Sequence, residues 1–281
     1  MSGEKISNIL SIDVEELCHI YYATDKTENY QQTPLNIPPL LDLLDKHNVK
    51  CTFFIVGEIA EKHPHIIKLI TSRGHEIAYH GYAHTPLKQE NRQSFENELE
   101  RFTQLVKSNG SSSIGFRAPT FILSKNPRWV FEALKENGYR YDSSVFPAKT
   151  QLYGLPKAPK TPYHPHFDNP EKRDDGNRIW EFPLLVYDFL GFRIPAAGGF
   201  YLRLYPNLVS KALKQINQSG HPGVIYVHNW ELDPHTPRIS INPFRSFVIY
   251  KNINKTMQNL ESLLTKFNFT SFECYLENMK D

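Results

Sequence analysis

Acidic and imidazole side chains follow several short apolar runs of this sequence, at a spacing that suits a metal centre. Asp13 and Glu15 end the run at residues 9–14. Alternate residues of a strand point to one side, so these carboxylates can converge, although a solvated acidic turn is the plainer interpretation of the pair alone. His80 and His84 follow a later run, and two imidazoles four residues apart suit one divalent ion if the chain coils after the strand. Two neutral imidazoles with one carboxylate, here Glu15, leave positions open for water and substrate.

Three further polar residues stand at comparable positions. Arg117 follows the short segment 113–116, where it is either a surface charge or a bidentate partner that keeps a carboxylate ionised. Asp142 precedes two serines, a pattern that is usually a helix cap or a turn. His228 ends the run 223–227, where a barrel carries its catalytic groups, although a lone histidine at a strand end is more often structural.

The elements that must position these side chains alternate between short apolar runs and helical patterns. Such alternation predicts βαβ units and a parallel sheet. We expect strands at 9–14, 51–56, 76–80, 113–116 and 223–227, and helices at 38–47, 58–73, 95–107, 127–137 and 252–267. The stretch 147–177 is rich in Pro, His and Asp and too long for an ordinary connection, which favours a lid over the barrel mouth. No internal repeat or boundary is visible, so residues 1–281 are expected to form a single domain.

Composition and charge limit the function classes. The 281 residues are 40% hydrophobic and 22% charged, as in ordinary soluble globular proteins. A formal net charge of +2 gives no electrostatic argument for a nucleic-acid partner. The three cysteines (Cys18, Cys51 and Cys274) indicate neither a disulfide framework nor a Cys-based zinc site. The polar N-terminus leads directly into an expected core strand at Ile9, and no run of about 18 apolar residues follows, so we expect a cytoplasmic protein without an integral membrane segment.

Six segments, taken in order, resemble the NodB-homology polysaccharide deacetylases, carbohydrate esterase family 4. They are SIDVEE (11–16), CTFFIVG (51–57), GHEIAYHGYAH (74–84), FRAP (116–119), YDSS (141–144) and YVH (226–228). Later segments are similar to a branch associated with bacterial exopolysaccharide gene clusters: AGGFYLR (197–203), HNWELDP (228–234) and TPR (236–238). The resemblance implies an α/β fold, a distorted (β/α) barrel of about seven parallel strands in a single domain.

The resemblance also implies a metal centre and a general base. Glu15, His80 and His84 would bind a divalent metal ion, with Zn²⁺ the expected one. Asp13 would be the base, held by Arg117. The family's usual adjacent Asp-Asp pair is Asp13-Val14-Glu15 here. The alternative that Asp13 itself binds the ion stays open.

A general acid and substrate contacts follow from the same resemblance. His228, oriented by Asp142, would protonate the leaving amine. The candidates for a sugar-stacking wall and for further substrate contacts are Tyr82, Trp230, Pro119 and Ser143. Two positions depart from the branch: Asn229 stands where it usually has Pro, and Phe200 where it usually has Gly.

The implied reaction is metal-dependent removal of an N-acetyl group from an N-acetylated sugar. The sugar would belong to a polysaccharide or to its nucleotide- or lipid-linked precursor, and a cytoplasmic enzyme reaches only the precursor. Two alternatives stay open: a same-fold, allantoinase-like hydrolase of a small cyclic amide, and a non-catalytic carbohydrate-binding relative. Replacing His228 with Ala separates an enzyme from a binding protein. Nothing in the sequence specifies the oligomeric state.

Overall fold

Strands and helices alternate along the computed structural model, which describes residues 6–20, 33–121, 127–150 and 154–279. The strands are β1 (Ser7–Val14), β2 (Thr52–Ile55), β3 (Glu76–Tyr79), β4 (Gly115–Phe116), β5 (Tyr141–Asp142), β6 (Pro165–His166), β7 (Asn169–Arg173), β8 (Trp180–Glu181), β9 (Val186–Phe189), β10 (Phe192–Pro195), β11 (Val224–His228) and β12 (Asn268–Thr270). The helices are α1 (Thr33–Lys46), α2 (Gly57–Lys62), α3 (Pro64–Ser72), α4 (Arg92–Ser108), α5 (Arg128–Glu136), α6 (Gly199–Leu204), α7 (Pro206–Gln218), α8 (Pro243–Tyr250), α9 (Thr256–Leu264) and α10 (Phe272–Asn278).

A parallel sheet forms the frame of the molecule. Its strands lie in the order β11-β1-β2-β3-β4-β5-β8, and β12 pairs with the first residues of β1. All pairings among these strands are parallel. Leu185, which follows β8, donates its backbone N–H to the carbonyl of Val224 on β11 at 2.9 Å, and this contact bridges the two sheet edges. The predicted α/β frame of about seven parallel strands is confirmed.

The helices cover this sheet because each buries one apolar stripe. In α4 the stripe recurs every three or four residues, the period of a helix. Its buried members are Phe95, Leu99, Phe102 and Val106. The Asn91 side chain accepts the Ser94 N–H at 3.0 Å and caps the first turn of α4, satisfying a backbone donor that has no partner within the helix.

Parallel pairing brings the carboxyl ends of the strands to one edge of the sheet, where such folds place their sites. Asp13, near the end of β1, lies opposite His228, the last residue of β11. His80 directly follows β3, and Arg117 directly follows β4. These four residues therefore reach this edge from four different strands.

A second apolar cluster lies apart from the main core. Its buried members are Leu17, Ile20, Trp230, Ile239, Ile249, Tyr250 and Ile253. They come from the turn after β1, the turn after β11, and α8 with its flanking segments. This cluster, called the site-side cluster below, packs behind the edge that carries the site residues.

Some predicted helices differ from those in the structure. The helix predicted at 58–73 is wrong as one element, because the chain breaks at His63 (φ −130°, ψ 58°) between α2 and α3. Pro64 starts α3, since proline lacks the N–H that a continuing helix would use. The helix predicted at 38–47 begins earlier, at Thr33. The segment predicted at 252–267 is a short 3₁₀ turn followed by α9. The additions to the predicted set are the strands β5, β8 and β12, the hairpins β6–β7 and β9–β10, and the helices α6, α7, α8 and α10.

The excursion at 147–177 is fastened to the sheet edge and to α5. Tyr163 is buried and forms an antiparallel bridge with Glu181 of β8. The rings of Phe131 on α5 and Phe167 are stacked, with their centroids 5.1 Å apart. Positions 151–153 of the excursion lie outside the described residues. Its action as a lid stays a prediction.

Within the described ranges, the helices are too short or too polar to cross a lipid bilayer.

Candidate active site

Two imidazoles and a carboxylate form a buried cluster at the carboxyl edge of the sheet. Glu15, His80 and His84 each place one ligand atom within 4.8 Å of those of the others. The chain coils back after β3, with left-handed backbone at Gly81 (φ 73°) and His84 (φ 54°), which is how two residues four apart meet without a helix. The predicted three-residue set is therefore brought together in space.

The ring orientation of both histidines is fixed by backbone carbonyls. His80 Nδ1 lies 2.9 Å from the carbonyl oxygen of Arg117, and His84 Nδ1 lies 2.7 Å from that of His19. A carbonyl can only accept, so both rings donate from Nδ1. Each Nε2 is then directed to the cluster, the arrangement that metal-binding histidines use.

The donor set fits a divalent metal ion. Glu15 Oε2 lies 2.8 Å from His84 Nε2 and accepts no hydrogen bond within the described part of the chain. Two lone pairs this close repel unless a proton or a metal ion lies between them. Burial lowers the pKa of His80 to about 4, so this ring is neutral at pH 7, as a ligand must be. Burial alone would raise the pKa of Glu15, but His84 and His228 outweigh it and hold that pKa below its usual range.

The second carboxylate of β1 is held by a buried arginine. Arg117 Nη1 lies 2.6 Å from Asp13 Oδ1 and 2.8 Å from the Ser11 hydroxyl. Its Nε donates to the carbonyl oxygen of Ser143 and its Nη2 to the Ser143 hydroxyl, and the group lies 4.1 Å over the Phe54 ring. This arginine is fixed from every side, so the carboxylate that it contacts is fixed as well.

The other Asp13 oxygen is turned toward the cluster. Oδ2 lies 3.8 Å from His80 Nε2 and accepts no hydrogen bond from any described residue. Asp13 is therefore anchored by one oxygen, while the second stays available to accept a proton beside the ligand set. Glu15, by contrast, has its Oε2 against the imidazole of His84.

His228 approaches the same cluster from β11. Its Nε2 lies 3.6 Å from Glu15 Oε1, and its Nδ1 lies 3.0 Å from Glu231 Oε2. The Glu231 oxygen also accepts the backbone N–H of His228 at 3.0 Å. Burial would lower the pKa of His228, but the carboxylates of Glu15 and Glu231 outweigh it and raise this pKa to about 9. The ring is poised to carry a proton on the nitrogen that faces the cluster.

The orienting role predicted for Asp142 is wrong. Asp142 is the register partner of Glu181, because β5 pairs directly with β8, and its side chain meets Glu181 and the Ser144 hydroxyl. Burial raises the pKa of both Asp142 and Glu181, as expected for two acids that share a proton. The residue that contacts His228 Nδ1 is Glu231.

The sugar-stacking wall predicted for Tyr82 and Trp230 is also wrong. Trp230 is only 4% exposed, donates its indole N–H to Glu15 Oε1 at 3.1 Å and stacks on the His228 ring, with centroids 5.0 Å apart. Tyr82 is 8% exposed, and its hydroxyl donates to Glu61. Both rings are buried, and Trp230 instead hydrogen-bonds to a predicted metal ligand.

The two remaining candidates for substrate contact are buried as well. The Ser143 hydroxyl donates to the carbonyl oxygen of Phe182 at 2.9 Å and accepts from Arg117. Pro119 packs against Gly81, where an added Cβ would lie 2.8 Å from the proline ring. Both side chains are buried against other site residues, which does not support the prediction that they contact substrate.

Asn229 is a site residue whose role the sequence did not predict. Its Oδ1 accepts the Glu15 N–H at 2.9 Å, and its Nδ2 lies 3.3 Å from the Thr33 hydroxyl and 3.2 Å from Asn36 Oδ1. The amide thus ties the backbone of a predicted metal ligand to α1. The sequence did carry a sign of this role, because Asn229 stands directly after His228 where the branch usually has Pro.

Two family models match consecutive parts of the chain. Residues 25–141 match the model described as polysaccharide deacetylase. Residues 143–277 match a model described as a domain of unknown function, DUF3473. The first range contains His80, His84 and Arg117, and the second contains His228 and Glu231.

Individual relatives match shorter stretches. A peptidoglycan-N-acetylglucosamine deacetylase of Bacillus cereus is 36% identical over 97 residues, which are 34% of this chain and 35% of the relative. A chitooligosaccharide deacetylase of Sinorhizobium fredii is 35% identical over 74 residues, 26% of this chain and 34% of the relative. The chain spans about a third of the length of the curated relatives it matches.

Solved structures match over nearly the whole chain. A Mycobacterium smegmatis structure assigned to the polysaccharide deacetylases has a TM-score of 0.57 at 21% identity and covers 96% of this chain and 95% of its own. The peptidoglycan deacetylase PdaC of Bacillus subtilis has a TM-score of 0.52 at 11% identity and covers 98% of this chain and 91% of its own. At these identities the likeness shows a shared fold.

Proposed function

This chain carries a polysaccharide deacetylase domain of the NodB-homology type, carbohydrate esterase family 4, and on that premise we propose that it is a metal-dependent hydrolase that removes the N-acetyl group of an N-acetylated sugar. One observation carries the proposal. Asp13 and His228, the proposed base and acid, lie on either side of the buried cluster of Glu15, His80 and His84. Amide hydrolysis needs a base for the attacking water and an acid for the leaving amine. Asp13 and His228 can supply these groups beside the same ligand cluster.

Glu15, His80 and His84 are the residues that would hold the metal. A divalent ion, with Zn²⁺ the expected one, supplies Lewis-acid polarisation of the amide carbonyl and of the attacking water when bound. The ligand atoms are buried and preoriented by backbone carbonyls and by the Trp230 indole. Such support limits the freedom of the ligands and favours metal binding.

Asp13 and His228 would move the two protons of the reaction. Asp13 Oδ2, the oxygen that Arg117 leaves free, accepts a proton from the attacking water as the new C–O bond forms. His228 Nε2 gives its proton to the amine nitrogen as the C–N bond breaks. The products are acetate and a free amino sugar. Asp13 then gives its proton to bulk water and His228 takes one up from it, which restores both residues.

The substrate class follows from the domain family and from the names of its relatives. The matched relatives are deacetylases of peptidoglycan N-acetylglucosamine and of chitooligosaccharide. We expect an N-acetylated saccharide here too, presented as a nucleotide- or lipid-linked precursor if the protein acts in the cytoplasm. The cytoplasmic location and the precursor stay predictions.

The deciding experiment measures acetate release from a panel of substrates. The panel holds N-acetylglucosamine oligomers, an N-acetylated sugar on a diphosphate carrier, the matching long polymer, and allantoin. We expect acetate from the sugars, loss of activity with a chelator and recovery with Zn²⁺. Turnover of allantoin without acetate release would support the cyclic-amide alternative. Preference for the polymer, or recovery of the native protein outside the cytoplasm, would contradict the prediction that the substrate is a precursor.

A His228→Ala variant separates the enzyme from a carbohydrate-binding protein. An enzyme loses most of its acetate release, whereas a binding protein keeps its affinity and had no turnover to lose. Acetate release by the wild type that is unchanged in the variant would remove His228 from the mechanism.

A further inference from the structure

Glu231 links His228 to a buried arginine. One of its carboxylate oxygens, Oε2, accepts from His228 Nδ1 at 3.0 Å. The other, Oε1, lies 3.3 Å from Arg203 Nη2. Glu231 and Arg203 are each only 2% exposed, so neither charge is shared with water.

Arg203 is itself anchored at the end of α8. Its Nη1 donates to the carbonyl oxygen of Ile249 and its Nη2 to that of Val248, both at 2.6 Å. These carbonyls belong to the last turn of α8, where backbone oxygens have no partner within the helix. The negative end of the helix dipole and two hydrogen bonds therefore hold the guanidinium in place.

Space for the Glu231 carboxylate depends on a glycine. A Cβ added at Gly199, the first residue of α6, would lie 2.0 Å from Glu231 Oε2. The backbone of α6 thus approaches the carboxylate as closely as the absence of a side chain allows. This close approach keeps Glu231 in the position that contacts His228.

We propose that Glu231 and Arg203 are positioning residues that aim the proton of His228 at the leaving amine. The proposal rests on the proposed function. Glu231 accepts from Nδ1, which fixes the ring so that its acidic proton sits on Nε2, the nitrogen that faces the ligand cluster. Arg203 holds the carboxylate and keeps its charge compensated in the buried site.

Arg203, Glu231 and His228 form a chain of polar contacts, called the relay below. It assigns a role to the part of the sequence that matches a domain of unknown function. All three members, Arg203, His228 and Glu231, lie within residues 143–277. The ligands Glu15, His80 and His84 lie before it. The C-terminal region therefore supplies and aims the proton donor, while the N-terminal region supplies the metal ligands and the base.

Two substrates with different leaving groups test the relay in the metal-loaded full-length protein. Release of an amine from an N-acetylated sugar needs a proton, whereas 4-nitrophenolate leaves 4-nitrophenyl acetate without one. Glu231→Gln should lower kcat on the sugar on the order of 10²-fold with little change in KM. Hydrolysis of the ester should stay within about threefold of wild type. Glu181→Gln, a buried acid without contact to His228, is the matched control and should leave both rates near wild type.

Loss of a buried carboxylate leaves Arg203 unpaired, and the single variant can fail to fold. Two further variants test the proposal if Glu231→Gln does not fold. Glu231→Gln combined with Arg203→Met removes both buried charges and should show the same difference between sugar and ester. Gly199→Ala keeps both charges but displaces the carboxylate, and it should also lower only the sugar rate.

A spectroscopic measurement reports on the contact without any sugar. The Nδ1 proton of His228 should give a downfield NMR signal that disappears in His228→Ala. We expect this signal to move upfield in Glu231→Gln and to stay in place in Glu181→Gln. If the wild type releases no acetate from any sugar while the signal responds as described, the proposed function fails and the contact is supported. The relay is contradicted if Glu231→Gln lowers the rates on the sugar and on the ester equally. It is also contradicted if the His228 Nδ1 proton signal does not shift in Glu231→Gln.

Discussion

At the residue scale, two carboxylates of one strand have different partners. Asp13 lies in β1 and Glu15 directly follows it. The two are two residues apart, so both point to the same side. Arg117 takes one Asp13 oxygen at 2.6 Å, whereas Glu15 meets the imidazole of His84 at 2.8 Å. These different partners support the proposed division of roles, with Asp13 as the base and Glu15 as a metal ligand.

This division can be tested by comparing Asp13→Asn with His80→Ala and His84→Ala. Asp13→Asn should keep its metal and lose roughly 10²–10⁴-fold in kcat, since only the proton acceptor is removed. The two histidine variants should lose the metal itself. Metal content by atomic absorption, beside acetate release, distinguishes them. Metal loss in Asp13→Asn would instead make Asp13 a ligand. His75→Ala, which removes a buried imidazole away from the cluster, should retain metal.

Trp230 should act through metal affinity. Trp230→Phe keeps an aromatic ring but removes the indole N–H that reaches Glu15 Oε1 at 3.1 Å. Loss of such a supporting hydrogen bond usually weakens metal binding by about 10–100-fold. Competition with a chromogenic chelator measures the change. Tyr82→Phe is the control, because it removes a hydroxyl that contacts Glu61. Equal affinity in wild type and Trp230→Phe would leave the indole with a packing role alone.

At the element scale, strand ends were predictable and long-range partners were not. The apolar runs that end at Asp13 and His228 are local signals with a period that can be read directly. Glu231 contacts His228 through a single 3₁₀ turn after β11, and its partner Arg203 comes from α6, so no local pattern joins the three. Asp142 was given the wrong partner because β8 is two residues long and has no periodic signal.

A buried acid at the opposite end of β3 joins four elements and should make stability depend on pH. Glu76 accepts from the Thr52 hydroxyl on β2, the Tyr141 hydroxyl on β5 at 2.7 Å, and the Glu273 N–H of α10 at 2.9 Å. Burial raises the pKa of Glu76 to about 7 in spite of these donors. The folded protein therefore binds a proton that the unfolded chain has already released between about pH 4.5 and 7.

The contribution of Glu76 to stability is complete below its unfolded pKa and is lost as the pH rises through 7. Between pH 5 and 8, the free energy of unfolding of the wild type should fall relative to that of Glu76→Gln, by at most on the order of 3 kcal/mol. Urea denaturation at four pH values measures both proteins, and the other titrating groups cancel in the difference. Parallel curves for the two proteins would contradict this expectation.

At the scale of the whole molecule, the site is supported by a cluster of its own. The site-side cluster joins Leu17 and Ile20, beside the His19 carbonyl that orients His84, to Trp230 and Ile249. Packing in this cluster therefore sets the position of groups from both ends of the chain. The main core around the sheet is a separate cluster, and Leu260 belongs to it.

Matched truncations in the two clusters should have different effects on the metal. Ile249→Ala and Leu260→Ala each remove a fully buried side chain and should each lower the free energy of unfolding by about 2–5 kcal/mol. Ile249→Ala should in addition weaken metal binding, since it loosens the packing around Trp230. Denaturation curves and chelator competition measure the two effects. Equal metal affinity in both variants would show that the site does not depend on this cluster.

The position of β1 also governs how the protein is made. One side of this strand pairs with β11, and its first residues pair with β12, so these contacts wait for residues 224–228 and 268–270 to leave the ribosome. At roughly 5–20 residues per second, that delay lasts on the order of ten seconds or more. During it, the apolar side chains of β1 lack their final sheet neighbours, and pairing across such sequence distances is slow. A nascent chain that stops before residue 228 contains the proposed ligands and base but lacks His228, Asn229 and Trp230, so we expect interrupted synthesis to yield no active enzyme.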